Sequence, residues 1–286
     1  MIHKSTIQLL RFHFSFFLMP VYWFALSQTT GINITRAIII FIIFHVLIYP
    51  ASNGYNSYMD RDTGSIGGIK KPMQPTKQLF YTSVAFDIIA ILASTLISVY
   101  FLLAVILYIL ASRAYSYRGI RLKKYPVTGY ITVIIFQGAV TYFAVVHGTG
   151  IDKPLNVSFT GMTIATLLIG GFYPLTQVYQ HKQDKEDGTI TISMLLGYKG
   201  TFIFTAVIYL FAMSILSYQL LSAGEQKKLF IILLFFLPVL IYFSWWFKKV
   251  LDNHEAANFV NTMRMNLLAS TCTNAAFITL LLIEKF

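Results

Sequence analysis

Over 286 residues the chain is 56% hydrophobic and 12% charged, with a mean hydropathy of +0.66, which excludes an ordinary soluble domain and defines an all-α, polytopic membrane protein. The 22 Lys and Arg outnumber the 11 Asp and Glu for a net charge of +11. These cations are spread over span-flanking loops instead of one soluble basic domain, which excludes nucleic acid and implies anionic lipid or a phosphate-bearing ligand.

A bilayer span takes roughly 20 apolar residues. Nine stretches qualify, at 7–27, 34–52, 79–97, 98–112, 129–148, 158–178, 201–222, 229–247 and 265–283, and the chain reads as one membrane domain over 1–286. The first stretch is too long, and lacks the small-residue cleavage site, for a signal peptide; it is expected to be a permanent helix. The third and fourth run together from Leu79 to Ala111 without Gly or Pro, so a tight hairpin near Ser98 to Tyr100 is predicted.

Threading these spans places 17 basic residues on one side: Lys4, Arg11, Arg61, Lys70, Lys71, Lys77, Arg113, Arg118, Arg121, Lys123, Lys124, Lys182, Lys185, Lys199, Lys248, Lys249 and Arg264. Only Arg36, Lys153, Lys227, Lys228 and Lys285 lie opposite. Short cytoplasmic loops retain Lys and Arg. The expectation is a prokaryotic inner membrane, with the N-terminus and the loops after even-numbered spans cytoplasmic and the C-terminus external.

In chain order, Arg11 enters the first span, where an arginine snorkels to headgroups. His45, alone on an apolar helix, is expected to be satisfied by a neighbour, and Pro50 to bend the second span and free a carbonyl one turn back. Next comes Asn53-Gly-Tyr-Asn-Ser-Tyr-Met-Asp-Arg-Asp62, polar residues where an apolar run meets a basic loop. If the helix continues, Asn56 and Asp60 stack at i, i+4. Such oxygens suit a hard cation such as Mg2+ that also binds substrate phosphates, with Arg61, Lys70 and Lys71 holding remaining phosphate charge; a solvated helix end is the alternative. Gly64, Gly67, Gly68, Pro72 and Pro75 predict an irregular, mobile lid.

Asp87, in the third span, is expected to hydrogen-bond structurally, away from the phosphate chemistry. The basic, tyrosine-rich stretch from Arg113 to Pro126 serves as a positive-inside anchor, and Tyr117, Arg118 and Lys124 are candidate diphosphate donors. Cys272, the sole cysteine, lies in the last span and permits no intrachain disulfide.

The sixth span ends Tyr173-Pro-Leu-Thr-Gln-Val-Tyr-Gln-His-Lys-Gln-Asp184, which aligns without a gap on Tyr49 to Asp60 at an offset of 124 residues. Tyr49, Pro50, Tyr55 and Asp60 recur as Tyr173, Pro174, Tyr179 and Asp184. Gln177 and Gln180 answer Asn53 and Asn56. A duplicated helical unit with two polar clusters facing one another follows, both on the same side.

With these motifs the chain resembles the UbiA superfamily of intramembrane prenyltransferases, marked by Asn-x-x-x-Asp-x-x-x-Asp after the second helix and Asp-x-x-x-Asp after the sixth. Asn56-Ser-Tyr-Met-Asp60-Arg matches the start of the first motif, and Lys71-Pro72 the pair closing its loop. The tyrosine-rich run ending at Tyr117 before Lys123-Lys124-Tyr-Pro126 is similar to the fourth-helix signature, and Gly188 to Gly197 to the stretch after the second motif. Arg11 matches a phosphate-binding arginine of the first helix. Gly64 stands where the first motif ends in Asp, with Asp62 nearest, and Gln180 where the second begins with Asp.

The resemblance implies Mg2+-dependent transfer of an isoprenyl group from a prenyl diphosphate to a lipophilic, often aromatic or quinone-precursor acceptor. It implies Asp60 and Asp184 as catalytic, Asn56, Asp60, Gln180 and Asp184 as metal ligands, and Arg11, Arg61, Lys71, Tyr117, Arg118 and Lys124 as diphosphate contacts. Two other classes stay open, a transporter and a prenyl-lipid-binding pseudoenzyme. Transport sites lie near the midplane, whereas both polar clusters here lie at span ends beside basic loops.

Overall fold

A computed structural model describes residues 2–283, of which no residue belongs to a named strand; the isolated bridges are Ile32 with Gly150 and Ile66 with Ile69. Lys285, counted above on the external side, lies outside the described residues. Nine helices among them are long and apolar enough to cross a membrane: Lys4–Ser27, Ile34–Asp60, Lys77–Ser94, Val99–Ser116, Pro126–Thr149, Phe159–Glu186, Ile192–Ser222, Gln226–Asp252 and Phe259–Ile283. Each coincides with one predicted span, and the chain is an integral membrane protein.

The hairpin between the third and fourth spans turns over residues 95–98, slightly before the predicted place. The cue is Ser98, whose extended backbone and side chain cap the fourth span; its Oγ accepts from the Phe101 N–H at 3.1 Å. A hydroxyl cap satisfies an orphan helix N–H and starts a helix without Gly or Pro. Asn33, Ser158 and Thr191 cap the second, sixth and seventh spans in the same way. On the face of Ser98, opposite the motifs, Lys153 Nζ donates to the Ile97 carbonyl, and Arg36 donates to the carbonyls of Gly150 and Ile151. Two of the basic residues opposite the motifs, Arg36 and Lys153, thus tie loops shut.

Toward the motif face the helices outrun their hydropathy. The second span continues to Asp60, the fourth to Ser116 and the sixth to Glu186. Hydropathy marks only where the apolar lining ends, while the backbone hydrogen bonds continue helically into polar sequence. These extensions form the walls of the site.

Irregular turns set their directions. A π-helical segment, Ile43–Ile48, precedes Pro50, and a 3-10 segment, Tyr173–Gln180, contains Pro174. Proline lacks an N–H and cannot extend an ordinary i to i−4 ladder, so the helix widens or tightens around it. His45 is satisfied by a neighbour at one ring nitrogen, with Nδ1 3.1 Å from the Phe41 carbonyl. A second π segment, Ile135–Val140, interrupts the fifth span, and the seventh kinks at Gly197, where φ is 68°. Phe24, Phe44, Tyr49, Phe101, Tyr142 and Phe277 are fully buried in the main core, contributing its largest apolar surfaces.

Candidate active site

The second span ends in the helix Tyr49–Asp60, which places Asn56 and Asp60 one turn apart. Arg61 stops it in a left-handed conformation, φ 53°, its N–H closing on the Ser57 carbonyl at 3.1 Å. Asp60 is 3% exposed at its side chain and pairs with Lys123, which donates to Oδ2; Oδ1 is buried without a protein partner. Asn56 Oδ1 accepts from Ser116 Oγ at 2.9 Å. Behind this helix, Asp87 pairs with Arg113, whose guanidinium lies over the Tyr55 ring at 4.0 Å and reaches the Ala51 carbonyl at 3.5 Å. The intramembrane acid therefore fixes the motif helix from outside the cavity.

Within the glycine-rich loop, irregular over the rest of 61–76 as expected, residues 66–69 form a tight hairpin. Ile66 and Ile69 exchange backbone hydrogen bonds at 2.9 Å around Gly67 and Gly68, and both isoleucines are buried against Leu9, Leu10 and Leu79. The two isoleucines anchor this hairpin by burial, an order that the glycine-rich composition does not disclose. The Gly67 carbonyl accepts from Arg11 Nη1 at 3.4 Å, while Arg11 Nη2 donates to the Asn53 carbonyl at 3.3 Å. Arg11 itself is 6% exposed, turned inward by a left-handed backbone, φ 51°.

The sixth span reaches the same place by a different path, through Tyr173–Gln180 and then the helix His181–Glu186. Two glutamines latch it to the first loop. Gln180 Nε2 donates to the Ser65 carbonyl at 3.2 Å, and Gln183 Nε2 to Asp62 Oδ1 at 2.5 Å. Burial, then the charge of Asp60, raises the Asp62 carboxyl above its ordinary range, against the opposing pull of Lys123, Gln183 and Arg11. The loop after the fourth span closes the third side: Arg121 pairs with Asp187, and Arg118 donates to the carbonyls of Met59 and Asp60 at 2.6 and 3.2 Å.

These segments enclose a cavity of about 140 Å³ whose lining includes Arg11, Asn56, Asp60, Asp62, Lys123, Gln180, Gln183, Asp184 and Asp187. All four expected metal ligands line it, as does Arg11. Arg61, Lys71, Tyr117, Arg118 and Lys124 do not; they are exposed, Arg61 lying over the Tyr58 ring. Lys123 faces the cavity in place of its neighbour Lys124, and adjacent lysines in a short 3-10 turn gave the sequence no means to choose. Asn266, an amide near the start of the ninth span, also lines the cavity and was missed, although an amide in an apolar run is a signal in itself.

The donor set is all oxygen, suited to a hard cation. Among the described residues no three His, Cys, Asp or Glu side chains stand together as a metal cluster. Around the cavity Asp60 Oδ1, Gln177 Oε1, the Tyr179 hydroxyl, Thr189 Oγ1 and both amide atoms of Asn266 are buried without a protein partner. Each such group costs about 1–3 kcal/mol unless a ligand satisfies it. Acceptors for a cation and donors for an anion are thus interleaved, which fits an ion that shares its coordination with the oxygens of a bound anion.

Gly64, where the resemblance leads one to expect a carboxylate, is structurally tied to Gln183. A Cβ at this position would lie 2.3 Å from Gln183 Oε1. Gly64→Asp alone is expected to displace Gln183 from Asp62 and lower the melting temperature, and the double variant Gly64→Asp/Gln183→Ala to recover most of that loss. Additive losses in a melting series of the four proteins would show that the two positions do not share space.

The fold and site define an integral membrane helical bundle in which cationic and carboxylate side chains converge in one cavity at the end of the spans. The family model of the UbiA prenyltransferase family matches residues 17–268, and the chain belongs to that family. No curated protein sequence matches it. Among solved structures it is similar to a UbiA homolog from Archaeoglobus fulgidus bound to GPP and Mg2+, with 18% identity over 97% of this chain and 99% of that one and a TM-score of 0.70. The apo UbiA homolog from Aeropyrum pernix K1 shares 18% identity over 93% and 97%, TM-score 0.66. A digeranylgeranylglyceryl phosphate synthase shares 17% over 96% and 97%, TM-score 0.60. At these identities the likeness concerns the fold.

Proposed function

We propose that the chain is a Mg2+-dependent prenyltransferase that moves an isoprenyl group from its diphosphate to a lipophilic aromatic or quinone-precursor acceptor within the membrane, its N-terminus and motif loops cytoplasmic. The observation that carries this is the convergence of Asp60, Asp62 and Asp184 with Lys123, Arg11 and a set of unpartnered buried polar atoms in one cavity at the end of a membrane bundle. Family membership and the GPP and Mg2+ bound by the Archaeoglobus homolog support it.

Asn56, Asp60, Gln180 and Asp184 would hold Mg2+, which when bound neutralises the charge that builds on the departing diphosphate. Arg11 and Lys123 supply charge-assisted hydrogen bonds to the phosphate oxygens, preorganised because Arg11 is already clamped by two backbone carbonyls. Lys123 also orients Asp60 by pairing with its Oδ2. The buried Ile66 and Ile69 hairpin restricts water from the loop side. Arg61, Lys71, Tyr117, Arg118 and Lys124 act at the rim, Arg118 by holding the end of the motif helix.

The test uses sealed vesicles. With the cytoplasmic face outward, added geranyl diphosphate and Mg2+ should release pyrophosphate and yield prenylated lipid-extract products by mass spectrometry. Release confined to vesicles of opposite orientation would overturn the topology, and absence of Mg2+-dependent release in both would overturn the activity.

A further inference from the structure

At the end of the bundle opposite the motifs, a cavity of about 630 Å³ lies between the loop joining the first two spans and the turn joining the seventh and eighth. Both walls are fixed by their backbones. Gly31, left-handed at φ 62°, turns the first loop so that its carbonyl accepts from the Ile151 N–H at 2.8 Å, and the Asn33 N–H donates to the Thr149 carbonyl at 2.8 Å. Across from it Gly224, at φ 76°, ends the seventh span with a pair of hydrogen bonds, from its own N–H to the Leu221 carbonyl at 3.1 Å and from the Glu225 N–H to the Leu220 carbonyl at 2.8 Å. Gln219 Nε2 joins the two walls by donating to Gln28 Oε1 at 2.9 Å.

The polar lining is rich in acceptors. Ser27 and Thr29 spend their hydroxyl protons on the Phe24 and Ala25 carbonyls about a turn back, at 2.8 Å each, which leaves oxygen lone pairs. Gln219 Oε1 is buried with no protein partner. Glu225 adds a carboxylate, and Lys228 Nζ lies 3.2 Å from it, so the charges lining the cavity cancel. An apolar hollow of about 400 Å³ continues from this cavity along the first and second spans, joined to it at Ile32 and Leu281. The Tyr22 hydroxyl in its wall is already satisfied by the Ala37 carbonyl at 2.8 Å. Ile34 and Ile38, also lining it, are 63% and 57% exposed, so the hollow opens sideways to lipid.

We infer that the two hollows together hold one phospholipid of the leaflet opposite the motifs, with one acyl chain in the apolar groove and a zwitterionic head bearing a primary ammonium, that of phosphatidylethanolamine. Its N–H groups meet Gln219 Oε1 and the Glu225 carboxylate, and its phosphate lies toward the positive charge of Lys228. A chain without a polar head leaves Gln219 Oε1 unmet, which costs free energy in a dry site. A choline head fits the charges but has no N–H to give. An anionic head brings a charge that a neutral Glu–Lys pair does not compensate. The motif face, with its excess of cations, favours anionic lipid, so the two ends of the bundle select different heads. This site is separate from the phosphate cavity and stands whether or not the chain transfers prenyl groups.

Fluorescence quenching by lipids with brominated acyl chains tests this on full-length protein in phosphatidylcholine nanodiscs. Trp23 lines the groove, whereas Trp245 and Trp246 stand toward the motif end of the eighth span, so the difference between wild type and Trp23→Phe isolates the groove signal. At equal low mole fractions, brominated phosphatidylethanolamine is expected to be enriched at Trp23 about fivefold over brominated phosphatidylcholine, the scale of one net hydrogen bond. Gln219→Leu removes the unpartnered acceptor and should bring that ratio close to one, with quenching by brominated phosphatidylcholine unchanged as the measure of an intact groove. Glu225→Gln keeps an oxygen, removes the charge and should lower the ratio by a smaller factor, a second reading should Gln219→Leu fail to fold. Equal quenching by the two lipids in wild type, stronger quenching by brominated phosphatidylglycerol than by phosphatidylethanolamine, or a preference that survives both variants overturns the inference.

Discussion

Asp60→Asn and Asp184→Asn are each expected to lower turnover on the order of 10²–10³-fold, the scale of removing one preorganised electrostatic contact from a developing charge, with the fold retained. Asn preserves the shape of Asp and removes only its charge. At position 60 the loss is compounded, because Lys123 donates to Oδ2 and would be left without its counter-charge beside the phosphate site. Asp87→Asn provides the contrast. Its carboxylate is also buried and also paired, with Arg113, but it faces away from the cavity. Breaking that pair should cost up to about 3–5 kcal/mol of stability, read as a lower melting temperature, with turnover per folded molecule reduced less than tenfold. Should Asp87→Asn abolish product formation in a parallel assay while Asp60→Asn retains it, the cavity would be the wrong site.

The two acids illustrate what a sequence discloses and what it conceals. Span number and order were legible because each span must present about 20 apolar residues to lipid, and both Asp60 and Asp184 stood out as charges at the ends of such runs. The repeat relating them was legible as well, since Tyr, Pro and Asp recur at one offset. Less legible was how the two copies differ in backbone. Tyr49–Asp60 is α-helical throughout, whereas its counterpart tightens into a 3-10 segment before His181, so that Gln180 points to the Ser65 carbonyl instead of repeating the environment of Asn56. Local identity does not specify which turn a proline will impose. Charge partners were the least accessible, because Lys123 to Asp60 and Arg121 to Asp187 join residues more than sixty positions apart, and only the folded bundle brings them together. The positive-inside count assigns all these cations one common role, which four of them, Arg113, Arg118, Arg121 and Lys123, exceed by pairing with specific acids.

Mg2+ and prenyl diphosphate are expected to bind with mutual enhancement of about 10- to 100-fold, within the ordinary range of coupling free energies. Asp60 has one oxygen committed to Lys123, Asp62 is tied by Gln183, and Asn56 Oδ1 is engaged by Ser116. Gln180 brings an amide where a second carboxylate would add charge. With no metal cluster of three His, Cys, Asp or Glu side chains among the described residues, free Mg2+ finds too little negative charge to surrender its waters, and the diphosphate oxygens supply what is missing. Gln180→Asp adds a carboxylate four residues before Asp184, but it also exchanges an N–H donated to the Ser65 carbonyl for an anion facing that same carbonyl. The variant should therefore bind Mg2+ more tightly in the absence of diphosphate, show weaker coupling between the two ligands, and melt at a lower temperature through loss of the latch. Calorimetric Mg2+ titrations of both proteins in nanodiscs, with and without the non-hydrolysable geranyl diphosphate analogue, separate these effects. Equal Mg2+ affinity in the two proteins, indifferent to the analogue, would show that Gln180 does not face the ion and that the clusters from the two repeats do not form one site.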